Sequence, residues 1–439
     1  MTATEQARAE TASRDVERAI RAIRAGQRVL IGSGAAEPVS LVQGLVTFGE
    51  HLAGNEIVHL LTLGPAPYVR PEFAHRFRHS AFFIGENVRS AIAEGRADYI
   101  PVFLSEIPSL IRGRIHVDVA LIQVSAPDSH GYVSLGVSVD VVRAAIDTAS
   151  LIIAEVNAQM PRTHGDSFLH VSRIAHLVQV DRPLLTITTA PPDAAAMQLG
   201  RHVATLVGDG ATLQVGIGQI PDAVLGALGD RCDLGVHTEM FSDGVMELVE
   251  RGVITGARKT HLPGKLVTSF VMGSAALYRW VDDHPMIEMR PSDYTNDPTI
   301  IARHDRMVSI NSALAVDLTG QVAADGVAGG FYSGIGGQVD FTRGAARARD
   351  GKAIIALRST AQGGGISRIC ASLGDGAGVV TSRGDVRYVV TEHGVADLWG
   401  RSVRERAMAL VAVAHPDFRA ELMSKAVQRR FIAAPVPTS

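Results

Sequence analysis

One carboxylate stands out by its position. In LGVHTEMFSDGVMELVERGVI (234–254), Glu239 directly follows an apolar strand, Leu234–Val236. It precedes a helix that Asp243 could cap and that carries Val245, Leu248 and Val249. Open α/β sheets hold ligands at the carboxyl ends of their strands. A glutamate there can serve as nucleophile or base, or it can be an ordinary surface acid. Glycine supplies the second group of candidates. TLQVGIG ends a strand on Gly216 and Gly218, and FYSGIGGQVDF (331–341) places Gly334, Gly336 and Gly337 within four residues. Glycine costs backbone entropy, so such clusters want a reason. Either the turn itself needs them, or bare backbone N–H groups face a ligand oxygen. AQGGGISR (361–368) is open to the same two readings.

Other chemistries are excluded by their missing signatures. The chain has no P-loop, no HExxH and no GxSxG. The turns at Gly32 and Gly216 are not dinucleotide fingerprints, because Glu37 or Pro221 replaces the third glycine. Cys232 and Cys370 lack Cys or His partners at zinc spacing and read as buried small hydrophobes in a reduced compartment. His237 and His393 are lone histidines and read as structural. No ligand spacing implies a metal.

The elements that must position these residues alternate. The first 26 residues predict a helix stopped by Gly26. Strands are predicted at 28–34, 56–64, 80–85, 99–104, 117–125 and 150–156, with helical stretches between them, such as 86–96. The pattern then restarts. RVLIGSGAAEPVSLVQGL (28–45) and TLQVGIGQIPDAVLGAL (212–228) share a strand, a G-x-G turn, a proline and an amphipathic helix. Further strands are predicted at 265–273, 307–318, 352–359, 378–382 and 386–394, and helices at 402–414 and 417–431, before a frayed tail AAPVPTS. The expected fold is α/β: two similar open α/β domains with largely parallel sheets. The proline pair in TTAPPDAAA (188–196) suggests the boundary, giving domains 1–195 and 196–439.

Composition narrows the class further. The 439 residues are 46% hydrophobic and 20% charged with net charge −3, which excludes a disordered chain. That balance gives no electrostatic reason to expect nucleic acid or an anionic membrane as partner. Only four of the 42 basic residues are lysine, a skew that reads first as genome composition and only second as arginines gripping phosphates or carboxylates. No apolar run reaches the roughly 18 residues that span a bilayer. The N-terminus shows no apolar signal-peptide core. A soluble, cytoplasmic protein is expected.

GIGQIP, GVHTEMFSDGV, RPSDYTNDP (290–298), MVSINSALAVDLTGQV (307–322), SGIGGQVDF and RYVVTEHGVADLWGRSVRERA (387–407) follow one another in an order that resembles the acetyl-CoA hydrolase/transferase family, nearest its 4-hydroxybutyrate CoA-transferase branch. The similarity is dense from about residue 200 to 420 and looser before it. The resemblance implies a CoA-transferase fold of two α/β domains, with Glu239 as covalent nucleophile. It implies a ping-pong route through a glutamyl–CoA thioester. It implies a CoA-binding loop at Gly216, Ile217, Gly218, Gln219 and Ile220, and a second CoA contact at Gly334, Gly336, Gly337 and Gln338. Asn311 and Glu392 correspond to the substrate-carboxylate subsite. Coenzyme A would be a substrate, with no tightly bound cofactor and no metal. A homodimer or dimer of dimers acting on acyl-CoA and short-chain acids is implied, without nucleic acid or membrane. Two alternatives remain: an acyl-CoA hydrolase using the same glutamate, and a ligand-sensing module that does no chemistry.

Overall fold

The computed structural model describes residues 3–327 and 329–433, so the tail from Ala434 onward lies outside the described residues. The chain forms two compact units. The first takes the chain up to Thr188, then Glu239–Asp243 and Lys265–Asn296. The second takes Thr189–Thr238, Gly244–Gly264 and the chain from Asp297 onward.

The first unit is built on seven parallel strands. They are β1 (Arg28–Ile31), β2 (Asn55–His59), β3 (Phe77–Ala81), β4 (Ala97–Tyr99), β5 (Val119–Val124), β6 (Leu151–Asn157) and β7 (His176–Val180), in the order β4-β3-β2-β1-β5-β6-β7. Val29 stands opposite Ile57 on one side and Val119 on the other. Every residue of β5 is buried, as a central parallel strand requires when both faces are covered. One face receives the helix Ala3–Arg21, whose Val16 and Ile20 pack with Leu41, Leu45 and Ile57. Gly44 allows that approach: a Cβ there would stand 2.5 Å from Val16 Cγ1.

The second unit repeats the plan with β8 (Thr212–Val215), β9 (Gly235–Val236), β10 (Met307–Ser312), β11 (Lys352–Ala356), β12 (Tyr388–Thr391) and β13 (Gly394–Asp397). Their order is β9-β8-β10-β11-β12-β13. All neighbours run parallel except the closing hairpin of β12 and β13. Ile355, Val389 and Leu398 pack with Leu410 and Val413 of the helix Val403–Val413. Ser402 and Glu405 close a capping box at the start of that helix.

Several predicted strands came out differently. The 99–104 run ends at Tyr99 and gives way to a 3₁₀ turn at Leu104–Glu106, because Pro101 offers no N–H to a ladder. The 307–318 run splits: β10 stays in the sheet, while Ala315–Asp317 pairs with Ile369–Cys370. The 265–273 run splits likewise into Leu266–Thr268 and Phe270–Val271, each in a separate two-stranded pair. The 378–382 run forms no strand, only a single bridge from Thr381 to Val322. Strand β7 is not predicted from the sequence, since at the sheet edge it mixes polar and apolar residues and shows no continuous apolar run.

Two imidazoles in the first unit tie its stability to pH. His59 and His79 stack at 4.3 Å, and Tyr68 meets His79 edge-on at 5.5 Å. The His79 Nδ1–H donates to the Ile57 carbonyl at 2.9 Å. Burial lowers His79 to about 4, against the opposing pull of that carbonyl, Asp98 and Glu56. His59 is lowered by burial and by His79. As pH falls below 6.5, the unfolded chain takes up protons that the folded chain refuses, so stability falls. The loss is about 1.4 kcal/mol per pH unit for each such histidine. Urea unfolding at pH 7 and pH 5 should show the unaltered protein losing about 2 kcal/mol more on acidification than His79→Phe does. Equal losses in both proteins would assign the acid sensitivity elsewhere.

Candidate active site

In the second unit the strand order reverses at β8, whose neighbours are β9 and β10. Such a reversal opens a crevice at the strand carboxyl ends, where α/β sheets bind ligands. The two strands β8 and β10 carry matched amides. Gln214 on β8 and Asn311 on β10 exchange side-chain hydrogen bonds of 3.3 and 3.1 Å. Beyond β8 comes the turn Gly216–Ile217–Gly218 and then the helix Gln219–Gly226. Gly218 sits at φ 114°, a conformation that side-chain-bearing residues rarely adopt, and nothing lies within 4 Å of a would-be Cβ. The glycine is therefore required by its backbone and not by crowding. Gln219 is committed within the protein: its Oε1 accepts from Arg358 at 2.7 Å and its Nε2 donates to the Pro191 carbonyl at 3.2 Å.

The SGIGGQ segment is fastened to the next strand end. Gly336 takes φ 58°, and Gly337 caps the helix Gln338–Arg347. Gln338 is buried. Its Nε2 donates to the Ser312 carbonyl at 2.7 Å, one residue past Asn311, and its Oε1 accepts from Thr381 at 2.8 Å. Its side chain is thus a tether that fixes the loop. Gly334 precedes these residues on the same segment. Glu392 lies in the two-residue link between β12 and β13. Its carboxylate accepts from the Ser359 amide at 2.9 Å and the Ser359 hydroxyl at 2.6 Å. Burial pushes this carboxyl up, but Ser359 outweighs it and holds the group below the usual range. The second unit therefore places Gly216–Ile220, Asn311 and Glu392 at the carboxyl ends of strands of one sheet, with the SGIGGQ loop tied to the end of β10.

Glu239 belongs to the first unit's short Glu239–Asp243 segment. Its main-chain carbonyl accepts from Ser269 N at 2.9 Å, Phe270 N at 3.1 Å and Thr268 Oγ1 at 3.2 Å. Its Oε2 accepts from Asn296 Nδ2 at 3.1 Å. Asn296 is fully buried, and its Oδ1 accepts from Thr295 at 3.0 Å, so the amide is held from both ends. Asn296 lies within RPSDYTNDP, where the sequence alone gives it no role. A buried asparagine must find partners, and one of its partners here is the candidate nucleophile. Just before Glu239, the Thr238 hydroxyl donates to the carbonyl of Val215, the residue preceding Gly216.

Smaller expectations changed too. Asp243 is the first residue of the helix Asp243–Glu250. Its carboxylate accepts from the amide and hydroxyl of Ser274, itself the cap of the helix Ala275–Val281. Cys232 is exposed, in a loop, rather than buried. Cys370 is half-buried, and burial pushes its thiol up to about 12. His237 is buried 4.5 Å from His304, whose pKa falls well below normal through burial and the nearby His237, Lys259 and His261. All four lysine ammonium groups donate within the protein: Lys259 to Val236 O at 2.9 Å, Lys265 to Pro285 O at 2.7 Å, Lys352 to Leu206 O at 2.6 Å and Lys425 to Glu421 at 2.5 Å. Among the described residues no cluster of three or more His, Cys, Asp or Glu could hold a metal ion. Nor is any helix long and apolar enough to cross a membrane.

Two open α/β units with loops gathered at strand carboxyl ends define a CoA-transferase fold, and solved structures agree. RipA from Yersinia pestis superposes with TM-score 0.91 at 37% identity, covering 95% of this chain and 97% of that one. Among proteins of known activity, the 4-hydroxybutyrate coenzyme A transferase of Clostridium kluyveri is 49% identical over 414 residues, 94% of this chain and 96% of the relative. The succinyl-CoA:acetate/propanoyl-CoA:succinate CoA transferase of Fasciola hepatica is 46% identical over 418 residues, 94% of this chain and 87% of the relative. The acetyl-CoA hydrolase/transferase N-terminal domain matches residues 5–188 and the corresponding C-terminal domain matches 273–426. The chain belongs to the acetyl-CoA hydrolase/transferase family, and it is a CoA-transferring enzyme.

Proposed function

We propose that the enzyme moves CoA between an acyl-CoA and a short-chain carboxylic acid of the acetate, butyrate or 4-hydroxybutyrate type, through Glu239. The ionised Glu239 carboxylate attacks the thioester carbonyl, forming an acyl-glutamyl anhydride and releasing CoA thiolate. The thiolate attacks the glutamyl carbonyl, forming a glutamyl–CoA thioester and releasing the first acid. The second acid then runs both steps in reverse. Dividing one hard transfer into easier ones is the gain of covalent catalysis. The backbone of Gly216, Ile217, Gly218, Gln219 and Ile220 supplies N–H donors to CoA and to the tetrahedral oxyanions. Gly334, Gly336 and Gly337 bring the second loop's backbone against the pantetheine arm, with Gln338 as its anchor. Asn311 and Glu392 serve the acid's carboxylate. CoA is a substrate, and no resident cofactor is needed because the enzyme's own carboxylate is the reagent. The protein is taken as a cytoplasmic homodimer or dimer of dimers, with neither nucleic acid nor membrane as a partner.

The observation that carries this reading is the setting of Glu239: a fixed backbone, with the carboxylate steered by a buried amide. Mass spectrometry after incubation with an acyl-CoA tests it. A CoA-sized adduct is expected on the peptide holding Glu239 and should vanish with hydroxylamine. An active enzyme with a clean spectrum would exclude the covalent route. Hydrolysis is the second reading, because the family includes hydrolases. Fast thiol release from acetyl-CoA with no acid acceptor present would establish it.

A further inference from the structure

The second unit contains a charge problem. Ser359 keeps Glu392 anionic at neutral pH. An ionised acid arriving beside it would meet like charge, which disfavours both. A cation must offset this, and arginine suits a carboxylate best, with its fixed fork of donors.

Arg368 occupies the right place. It joins the short strands Ile366–Ser367 and Ile369–Cys370. Its amide donates to the Ser359 carbonyl at 2.8 Å, on the residue that clamps Glu392. Its Nη1 donates to the Ala313 carbonyl at 3.3 Å, two residues past Asn311. One residue thus touches both segments that carry the carboxylate-subsite candidates. Its Nε is buried with no hydrogen-bond partner. It forms no ion pair among the described residues. The neighbouring Arg358, by contrast, is committed to Asp193 and Gln219, each at 2.7 Å. Burial and the charge of Arg358 bear against Arg368, while Tyr332 and Glu392 pull the other way. A half-buried guanidinium with donors to spare is a costly thing to keep unless an anion completes it.

We propose that Arg368 binds the carboxylate of the acid substrate, completing a subsite with Asn311 and Glu392. This rests on the transfer reading above. The thioester of an acyl-CoA carries no charge at its acyl group, whereas the free acid is an anion. Arg368 therefore acts on the acid and not on the thioester, which makes it a specificity residue for the acceptor half-reaction.

Steady-state transfer from acetyl-CoA to butyrate tests the assignment with Arg368→Gln and Arg368→Lys. For R368Q the KM for butyrate should rise about 10- to 100-fold, the worth of a hydrogen-bonded charge contact. The rise should be smaller for R368K, which keeps the charge but loses the fork. The KM for acetyl-CoA, and the adduct formed on Glu239 from acetyl-CoA alone, should stay within about twofold, since neither involves an incoming acid. An unchanged butyrate KM would overturn the proposal. So would butyrate and acetyl-CoA KM values rising together, as a CoA-phosphate contact or a generally loosened site would produce. Failure of the transfer reading looks different: the unaltered protein itself would form no adduct and move no CoA, and both ideas would fall.

Discussion

Glu239→Ala should abolish CoA transfer, with turnover reduced at least about 10³-fold and no CoA adduct formed. Removing a nucleophile leaves only binding and oxyanion contacts, which support a small residue of the original rate. Glu239→Gln should be nearly as inactive, because the amide keeps the shape but cannot attack. Folding should survive in both variants. Three hydrogen bonds that hold residue 239 are made to its main-chain carbonyl, which any residue provides. The side chain gives up its hydrogen bond to Asn296 and is only half-buried. Asn296→Ala makes the informative contrast: it leaves the nucleophile but removes its guide, so activity should fall far less than for Glu239→Ala. Transfer assays on purified variants with matched thermal unfolding check these outcomes. Retention of a tenth or more of the activity by Glu239→Ala would sink the covalent mechanism.

Arg182→Ala should destabilise the protein by about 3–5 kcal/mol at pH 8, the usual cost of orphaning a buried charge. Arg182 binds the carboxylate of Glu155, which is fully buried, and also reaches Ser40 at 3.2 Å. The other Glu155 oxygen accepts from the Leu41 amide at 2.8 Å. Burial already raises the Glu155 pKa, and the charge of Arg182 is the largest influence opposing it. Without Arg182 the carboxyl rises further and takes up a proton at higher pH. A group whose folded pKa exceeds its unfolded one favours the fold at low pH and loses that advantage as pH rises. The deficit of Arg182→Ala should therefore shrink on going from pH 8 to pH 5.5. Urea unfolding of both proteins at the two pH values measures it. A deficit below about 1 kcal/mol, or one that does not change with pH, would mean that Glu155 is not held as an ion.

What the sequence showed and what it hid follow from the range of the interactions concerned. The buried strands β5 and β6 were legible because parallel strands covered on both faces read as unbroken apolar runs. The runs at 265–273 and 307–318 were legible as extended chain but not as breaks, since a strand that changes partner keeps the same local pattern. Glu239 and the two glycine turns were visible as strand-end residues. Their partners were not. Asn296, Ser359 and Arg368 reach their targets across 57, 33 and 55 residues of chain, and pattern along a sequence carries no distance across a fold. Gln219 and Gln338 show the same limit from the other side. Both were expected at CoA, and both spend their side chains fastening loops, which leaves any ligand contact to their backbone.

The scarcity of lysine has a consequence for chemical durability. Thioesters acylate free amines, and an enzyme that transfers CoA handles reagents able to damage it. This chain offers them four side-chain amines, each already donating a hydrogen bond, and Lys259 is almost wholly buried. Its remaining positive charge is carried by guanidinium groups, which stay protonated and are poor nucleophiles. The surface is thereby buffered against stray acylation while keeping its charge, an inertness written into the choice of cation rather than into any single site.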